Sequence, residues 1–96
     1  MTTTKIDPFL VSTRIDPQII MDIESELERG KLLHPNYPTD PLRRTAIMCE
    51  EAGEALREAL DLTNPNSSYN NKRDLRHETI QTAAMAIRLL QAMMSE

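Results

Sequence analysis

Residues 49–60 read Cys-Glu-Glu-Ala-Gly-Glu-Ala-Leu-Arg-Glu-Ala-Leu, the second half of a segment with strong helical character. Side chains three and four positions apart share one face of a helix, so Glu51, Glu54 and Glu58 continue a seam that begins at Ile47. The opposite seam alternates steps of four and three, like the core positions of a helical bundle. Its members are Leu42, Ala46, Cys49, Gly53, Leu56 and Leu60. The helix therefore has an apolar face and an acidic stripe, which is either a solvated surface or the wall of a site.

The composition limits the fold to one small domain. The chain has 96 residues, no Trp and only three aromatic residues, Phe9, Tyr37 and Tyr69. A core of Leu, Ile, Met and Ala suits closely packed helices and self-association. No alternating run of β-branched residues indicates a strand. The expected fold is all-α, a small antiparallel bundle of about three main helices completed by oligomerisation.

Charge and cysteine content exclude several classes of protein. A net charge of -4 without a basic cluster argues against a nucleic-acid partner. The single cysteine, Cys49, lies on the apolar seam, and we expect it to be a small buried hydrophobe. It permits no disulfide within one chain, which fits a reducing compartment. Because the sequence has no signal-peptide core and no long apolar run, we expect a soluble cytoplasmic protein without a membrane partner.

Start and stop signals divide the chain into an N-terminal arm and one all-α domain. Residues 1–16 lack helical periodicity and predict an extended arm, and residues 17–96 form the domain. Asp16-Pro17 and Asp40-Pro41 each pair an N-cap with a proline at the first helical position. The predicted helices cover residues 17–29 with Gly30 as the stop, residues 41–61, and residues 72–94 with Asn71 or Asp74 as the cap.

The third predicted helix has two apolar seams. The first carries Ile80, Ala83, Ile87, Leu90 and Met94, and the second carries Leu75, Glu78, Thr82, Met85 and Leu89. Only a narrow strip suits water, the one with His77, Gln81, Arg88 and Gln91. A helix that is apolar on two sides is buried on two sides, and three short helices hardly cover both. We therefore expect a second subunit to complete the bundle, with this helix at the subunit contact.

Glu78 is the anomaly of its seam, because a carboxylate among apolar neighbours is costly unless it is paired or bound to a cation. Across a short turn the third helix runs antiparallel to the second, so Glu78 can face Glu51 and Glu54. Converging carboxylates either hold protons or bind a hard divalent cation, and oxygen-only ligands favour Mg²⁺ or Mn²⁺ over Zn²⁺. The alternative is a salt bridge from Glu78 to Arg44 or Arg57.

Two phrases carry a resemblance to a known family. Residues 48–56 read Met-Cys-Glu-Glu-Ala-Gly-Glu-Ala-Leu, and residues 78–90 read Glu-Thr-Ile-Gln-Thr-Ala-Ala-Met-Ala-Ile-Arg-Leu-Leu. Over residues 18–93 the chain resembles the MazG-like all-α nucleotide pyrophosphohydrolases, whose pattern is ExxE, a spacer and ExxD. Carried over residue by residue, the pattern matches Glu51, Glu54 and Glu78. It departs at Gln81, which stands in place of the family's Asp.

The resemblance implies a reaction and a set of roles. Glu51, Glu54, Glu78 and Gln81 would hold Mg²⁺, or Mn²⁺, with Gln81 offering a neutral carbonyl oxygen. A nucleoside triphosphate would be cleaved between its α and β phosphorus atoms to a monophosphate and pyrophosphate. Glu50 or Glu54 would take a proton from the attacking water. The alternative is a non-catalytic MazG-like module, a nucleotide sensor or interaction protein whose metal site has decayed through Gln81.

Other residues are candidates for contacts with the substrate. The cations that would steady the phosphates are Lys31, Lys72, Arg73 and Arg76. The aromatic residues that would stack on the base are Tyr37, Tyr69 and Phe9. We expect both histidines, His34 and His77, to be surface residues, and the chain has no Glu-x-x-His pair of the kind that ferritin-like di-iron centres use. The assembly is expected to be a homodimer or a homotetramer.

Overall fold

The computed structural model describes residues 14–64 and 71–95, with the side chains of residues 71–73 left aside. This part of the chain forms three helices and no strand, which confirms the all-α class: α1 (Pro17–Leu33), α2 (Pro41–Leu62) and α3 (Asn71–Met94). Within the described ranges, none of the three is both long and apolar enough to span a membrane. Most of the predicted arm, residues 1–13, lies outside these ranges.

The predicted caps of α1 and α2 are confirmed. The Asp16 carboxylate accepts a hydrogen bond from the backbone N–H of Gln18 at 2.8 Å, and the Asp40 carboxylate accepts one from Leu42 at 3.0 Å. Each bond satisfies one of the free N–H groups that begin a helix. In α3, Asn71 is the first helical residue and Asp74 lies in the first turn, so neither occupies the cap position.

The prediction that Gly30 ends α1 is wrong, because the helix continues for four residues beyond position 29. Gly30 keeps a negative φ, and its carbonyl accepts the backbone N–H of His34 at 2.8 Å. The helix ends where Pro35 follows, since the residue before a proline is disfavoured in helical conformation. The helix therefore stops at a proline and not at the glycine.

Helix α3 contacts both of the other helices, whereas α1 and α2 make no close backbone contact with each other over the described residues. The pairing of α1 with α3 is parallel. Asp22, early in α1, forms an ion pair with Arg76, early in α3, at 2.6 Å. Lys31 and Gln91, late in the same helices, are joined by a hydrogen bond of 3.2 Å.

The pairing of α2 with α3 is antiparallel, as the sequence predicts. Arg44 near the start of α2 and Arg88 near the end of α3 both lie against the ring of Tyr37 in the α1–α2 linker, 5.4 and 4.3 Å from its centroid. The Arg44 guanidinium donates to the Pro38 carbonyl at 2.6 Å, and that of Arg88 donates to the His34 carbonyl at 2.8 Å. The two arginines therefore fix the linker against the ends of both helices.

Helix α3 packs on α1 and on α2, which covers much of its two apolar seams within one chain, but Leu90 and Met94 at its end remain 59% and 86% exposed. The prediction of a solvated strip is wrong for two of its four members. Arg88 is only 9% exposed and Gln81 is half-buried, whereas His77 and Gln91 are exposed. The strip fails because α1 packs along it, which the periodicity of α3 alone does not indicate.

The apolar seam of α2 faces away from α3. Leu42 is 76% exposed, Leu56 and Leu60 are each 61% exposed, and Ala46 and Gly53 are exposed as well. The expectation that Cys49 is buried within the chain is wrong, because it lies on this outer face. Among the described apolar side chains only Ala84 is fully buried, at 3% exposed. The acidic stripe, and not the apolar seam, is the face that α2 turns towards α3.

Candidate metal centre

Three glutamates meet where α2 packs against α3. Glu51 and Glu54 lie one turn apart on α2, and the antiparallel pairing brings Glu78 of α3 opposite them. Each offers a carboxylate oxygen, and the three oxygens lie within 4.8 Å of one another. The structure thus brings together three of the four residues that the sequence predicts as metal ligands.

The surroundings of Glu78 favour its protonated form. Burial is the largest influence that raises the pKa of its carboxyl, followed by the hydrogen bond with Glu54 and the negative charges of Glu54 and Glu51. The nearby His77 opposes this shift. In its protonated form Glu78 can donate the hydrogen bond to the Glu54 carboxylate.

Glu51 is shifted in the same direction. Burial raises the pKa of its carboxyl most, and the charges of Glu54, Glu26 and Glu50 raise it further. Since Glu26 belongs to α1, all three helices contribute negative charge to this region. A cluster that resists losing its protons is one in which a bound cation would replace them.

Two oxygen atoms of the cluster lack the partners that buried polar atoms ordinarily have. Oε2 of Glu51 and Oε2 of Glu78 are both buried and accept no hydrogen bond. Carboxylate oxygens without donors, placed close together, fit a hard divalent cation such as Mg²⁺ or Mn²⁺. The donor set contains no sulfur and no imidazole, which disfavours a zinc site.

The salt bridge that would compete with metal binding is not formed between the described side chains. Arg44 is directed to Pro38 and Tyr37, as described above, and Arg57 is exposed on α2. The charged groups that influence the pKa of Glu78 are the two glutamates and His77. Glu78 is therefore a half-buried acid whose charged neighbours are two glutamates and His77.

The remaining predicted site residues lie around the cluster rather than within it. Glu50 is exposed and adds its charge to the surroundings of Glu51. The side-chain amide of Gln81 donates to the Glu26 carboxylate at 3.3 Å. Its nitrogen is thus directed towards α1. The role of Gln81 as a metal ligand and that of Glu50 as a base stay predictions.

Glu26 is a site residue that the sequence reasoning missed. Its side chain is 17% exposed and accepts from Arg29 at 2.8 Å as well as from Gln81. The signal available was weak: Glu26 lies between Ile23 and Leu27, two members of the apolar face of α1. Glu26 lies near the cluster because α1 packs alongside α3, and the sequence of α1 alone does not indicate this packing.

An open cleft begins beside Glu51, at one edge of the acidic cluster, and runs towards the linker end of the molecule, while Glu54 and Glu78 do not line it. Helix α3 forms part of its wall, and α1 and α2 contribute the rest. The polar residues that line it are Glu26, Arg29, His34, Glu51, Gln81 and Arg88.

Two of the predicted phosphate-binding cations are engaged within the chain. Lys31 donates to Gln91 and Arg76 pairs with Asp22, and the Arg76 hydrogen bond is the largest influence that lowers the pKa of the Asp22 carboxyl. The side chains of Lys72 and Arg73 lie outside the described part of the chain. His34 and His77 are exposed, as expected.

Of the predicted base-stacking residues, only Tyr37 falls within the described ranges, whereas Phe9 and Tyr69 lie outside them. Tyr37 is half-buried, and burial raises the pKa of its hydroxyl against the opposing charges of Arg44 and Arg88. With two guanidinium groups against its ring, Tyr37 serves the packing of the linker.

Comparison with known proteins identifies no relative of this chain. No model of a protein family matches the chain, and no curated protein or solved structure matches it. The class is therefore defined by fold and site: over residues 14–64 and 71–95 the chain forms three α-helices, with a cluster of three carboxylates between α2 and α3.

Proposed function

We propose that this protein is a Mg²⁺-dependent nucleotide pyrophosphohydrolase that cleaves a nucleoside triphosphate to a monophosphate and pyrophosphate. One observation supports the proposal most. Three carboxylate oxygens from Glu51, Glu54 and Glu78 lie within 4.8 Å of one another, and two of these residues have a buried oxygen without a partner. The resemblance to the MazG-like pattern at the same three residues points in the same direction.

Glu51, Glu54 and Glu78 would hold the cation. When bound, Mg²⁺ neutralises phosphoryl oxygens and acidifies a water molecule. Binding requires Glu78 to release its proton, since a carboxylate binds metal in its ionised form. Glu54, freed from its hydrogen bond with Glu78, or the exposed Glu50 would then take a proton from the attacking water.

The reaction needs no co-reactant other than water. The anhydride bond between the α and β phosphorus atoms breaks, the water oxygen ends on one product, and its proton passes to the carboxylate. We propose that Gln81, which lies one turn beyond Glu78 on α3, assists the reaction. It would do so either through its carbonyl oxygen or by holding Glu26 in place. The assembly is proposed to be a cytoplasmic homodimer or homotetramer.

The second candidate is a non-catalytic module that binds a nucleotide without cleaving it. It is favoured by the contacts of Gln81, Lys31 and Arg76, all of which bond within the chain. In such a protein the neutral amide at position 81 would stabilise the helix pairing while the cluster retained only weak metal binding.

Pyrophosphate release from a panel of canonical and modified nucleoside triphosphates, with and without Mg²⁺, separates the two candidates. The enzyme is expected to release pyrophosphate only with Mg²⁺ and to lose this activity in Glu78→Gln. The exposed acid of α1 in Glu24→Gln is a matched control that should retain it. Saturable nucleotide binding without release would identify the sensor. Neither binding nor release would contradict both candidates.

A further inference from the structure

The open cleft beside Glu51 has no part in the metal chemistry described above. We propose that this cleft binds the base of the nucleotide, and that Glu26 selects bases with an exocyclic amino group, cytosine and adenine, over uracil and thymine. The inference rests on the proposed binding of a nucleoside triphosphate, which it deepens, but not on its cleavage. Glu26 is then a specificity-determining residue, and the cation is left to Glu51, Glu54 and Glu78.

The first observation is the position of the cleft relative to the carboxylate cluster. Glu51 belongs both to the cluster and to the wall of the cleft. Glu26 lines the same cleft and lies near Glu51, because its negative charge raises the pKa of the Glu51 carboxyl. A triphosphate held by the cation through its phosphates carries its sugar and base at the α phosphorus. With that phosphorus near Glu51, the cleft lies within reach of the base.

The second observation is that the cleft has apolar walls among its polar residues. Leu27 of α1 and Ala84 and Met85 of α3 line it. Leu27 and Met85 are half-buried, so each retains apolar surface that a ligand would cover. A methionine sulfur makes favourable contacts with aromatic rings, and the flat face of a base offers such a ring. The walls therefore suit a planar group with polar edges.

The third observation is an unused hydrogen-bond acceptor on Glu26. Arg29 at 2.8 Å and Gln81 at 3.3 Å both donate to its Oε1 atom. Within residues 14–64 and 74–95, its Oε2 atom accepts no hydrogen bond. The two donors hold the carboxylate in one orientation, and its second oxygen stays available to a ligand.

This acceptor distinguishes one class of base from another. An ionised carboxylate accepts hydrogen bonds and donates none. The amino group of cytosine or adenine donates to it, whereas uracil and thymine place a carbonyl oxygen at the corresponding position. Two acceptors facing each other repel, and a polar group left without its partner weakens binding. Glu26 thus favours the amino-bearing bases.

The fourth observation is that Gly30 leaves space on the α1 side of the cleft. It lines the cleft, its φ is negative, and a Cβ atom added there would meet nothing within 4 Å. Gly53 is equally open, but it lies on the outer face of α2 and does not line the cleft. A side chain at position 30 would therefore compete with a ligand for the cleft, whereas one at position 53 would not.

Isothermal titration calorimetry with substrates that cannot be cleaved tests the inference without catalysis. The probes are the α,β-methylene analogues of CTP, ATP and UTP, titrated into the full-length chain with Mg²⁺. The CTP and ATP analogues should bind at least about tenfold tighter than the UTP analogue. Glu26→Gln should reduce this ratio to about threefold or less, because an amide also donates to a carbonyl. Glu28→Gln, an exposed acid of α1 outside the cleft, is the matched control and should keep the ratio.

A second pair of variants tests the location of the base and does not depend on how Glu26→Gln folds. Gly30→Leu should weaken the binding of all three analogues at least about tenfold, because its side chain occupies the cleft. Gly53→Leu is the matched control and should leave binding unchanged. Both variants should raise the melting temperature, since leucine favours a helix more than glycine does. Equal affinities of the two variants would overturn the placement of the base in the cleft.

The remaining outcomes separate this inference from the proposed function. Equal affinities of the wild type for the three analogues would overturn the role of Glu26, and so would a folded Glu26→Gln with the wild-type ratio. In either case pyrophosphate release from triphosphates would still support the hydrolase. A wild type that binds none of the analogues would overturn the inference together with the proposed binding of nucleotides.

Discussion

The inner and outer faces of α2 meet very different surroundings. The inner face presents Glu51 and Glu54 to α3, where burial raises the pKa of Glu51, while the outer face leaves Leu42, Leu56 and Leu60 in solvent. The inner face also carries apolar residues, among them the half-buried Ile47 and Ala55, so α2 packs acids and apolar side chains together against α3. The comparison shows that one face of α2 gathers acids against α3 while the other leaves large apolar side chains in solvent.

The largest effect is expected from a charge placed in the interior. Ala84→Arg puts an unpaired guanidinium at the most buried apolar position and should lower the free energy of unfolding by about 3 kcal/mol or more. Ala52→Arg makes the same change at an exposed position of α2 and should have little effect. Urea denaturation followed by circular dichroism measures both, and similar midpoints for the two variants would contradict the proposed distinction between faces.

The next effect concerns the metal. Mg²⁺ should raise the melting temperature of the wild type, since a ligand that binds only the folded state stabilises it. Glu78→Gln should abolish this rise and reduce any hydrolysis about 100-fold or more, because it removes one of three converging charges. Thermal denaturation with and without Mg²⁺ measures the first result. An unchanged Mg²⁺ response in Glu78→Gln would move the binding site elsewhere.

A smaller effect is expected in the pH dependence of the free energy of unfolding, which should differ between the metal-free and metal-bound protein. The pKa of both Glu51 and Glu78 is raised above the ordinary 4.5, so the folded protein retains protons that the unfolded chain has already released. The free energy of unfolding should therefore fall as the pH rises above 4.5 and through the raised pKa. Well below 4.5 both carboxyls are protonated in both states, so the free energy of unfolding no longer changes with pH and the stabilisation is fully present.

Denaturation of the wild type and Glu78→Gln at several pH values isolates this dependence, because the remaining groups are common to the two proteins. The fall in stability should be steeper in the wild type, and saturating Mg²⁺ should reduce it. Parallel pH profiles in the absence of metal would mean that folding does not raise the pKa of Glu78.

The smallest effect is expected at Gln81. Gln81→Asp removes the hydrogen bond to Glu26 and places a second carboxylate beside it, which should cost roughly 1 kcal/mol in the metal-free protein. It should also tighten Mg²⁺ binding if position 81 reaches the ion. Isothermal titration calorimetry measures the affinity for Mg²⁺. Glu26→Gln is the matched variant, because it removes the negative charge of the α1 residue that bonds to Gln81. An unchanged affinity in both variants would exclude these two residues from the site.

The sequence predicted the parts of this molecule that depend on local chemistry. Asp16 and Asp40 cap their helices because the bond joins residues two positions apart, and Glu51 meets Glu54 because the helix repeat places them on one side. The meeting with Glu78 followed from a short connection and antiparallel pairing. These rules act over short distances along the chain, and they were sufficient to predict that the three glutamates meet.

The features that the sequence did not predict depend on which helix packs on which. Periodicity identified an apolar seam on α2 but not whether its partner lies in the same chain, so Cys49 was expected inside and is outside. It likewise did not indicate that α1 would lie along α3, burying Arg88 and bringing Glu26 near Glu51. Choice of neighbour is a tertiary property, and several arrangements satisfy the same pattern.

The central position of α3 has a consequence for the order in which the chain acquires structure during synthesis. Both of the other helices pack on α3, and α3 is translated after them. Until it leaves the ribosome, neither α1 nor α2 has its partner, and their apolar faces remain open to chaperones and to one another. Folding during synthesis, from the N-terminus onwards, therefore cannot stabilise α1 and α2 before α3 is made. A chain stalled before α3 should be a ready substrate for proteases, and the emergence of α3 should allow α1 and α2 to pack.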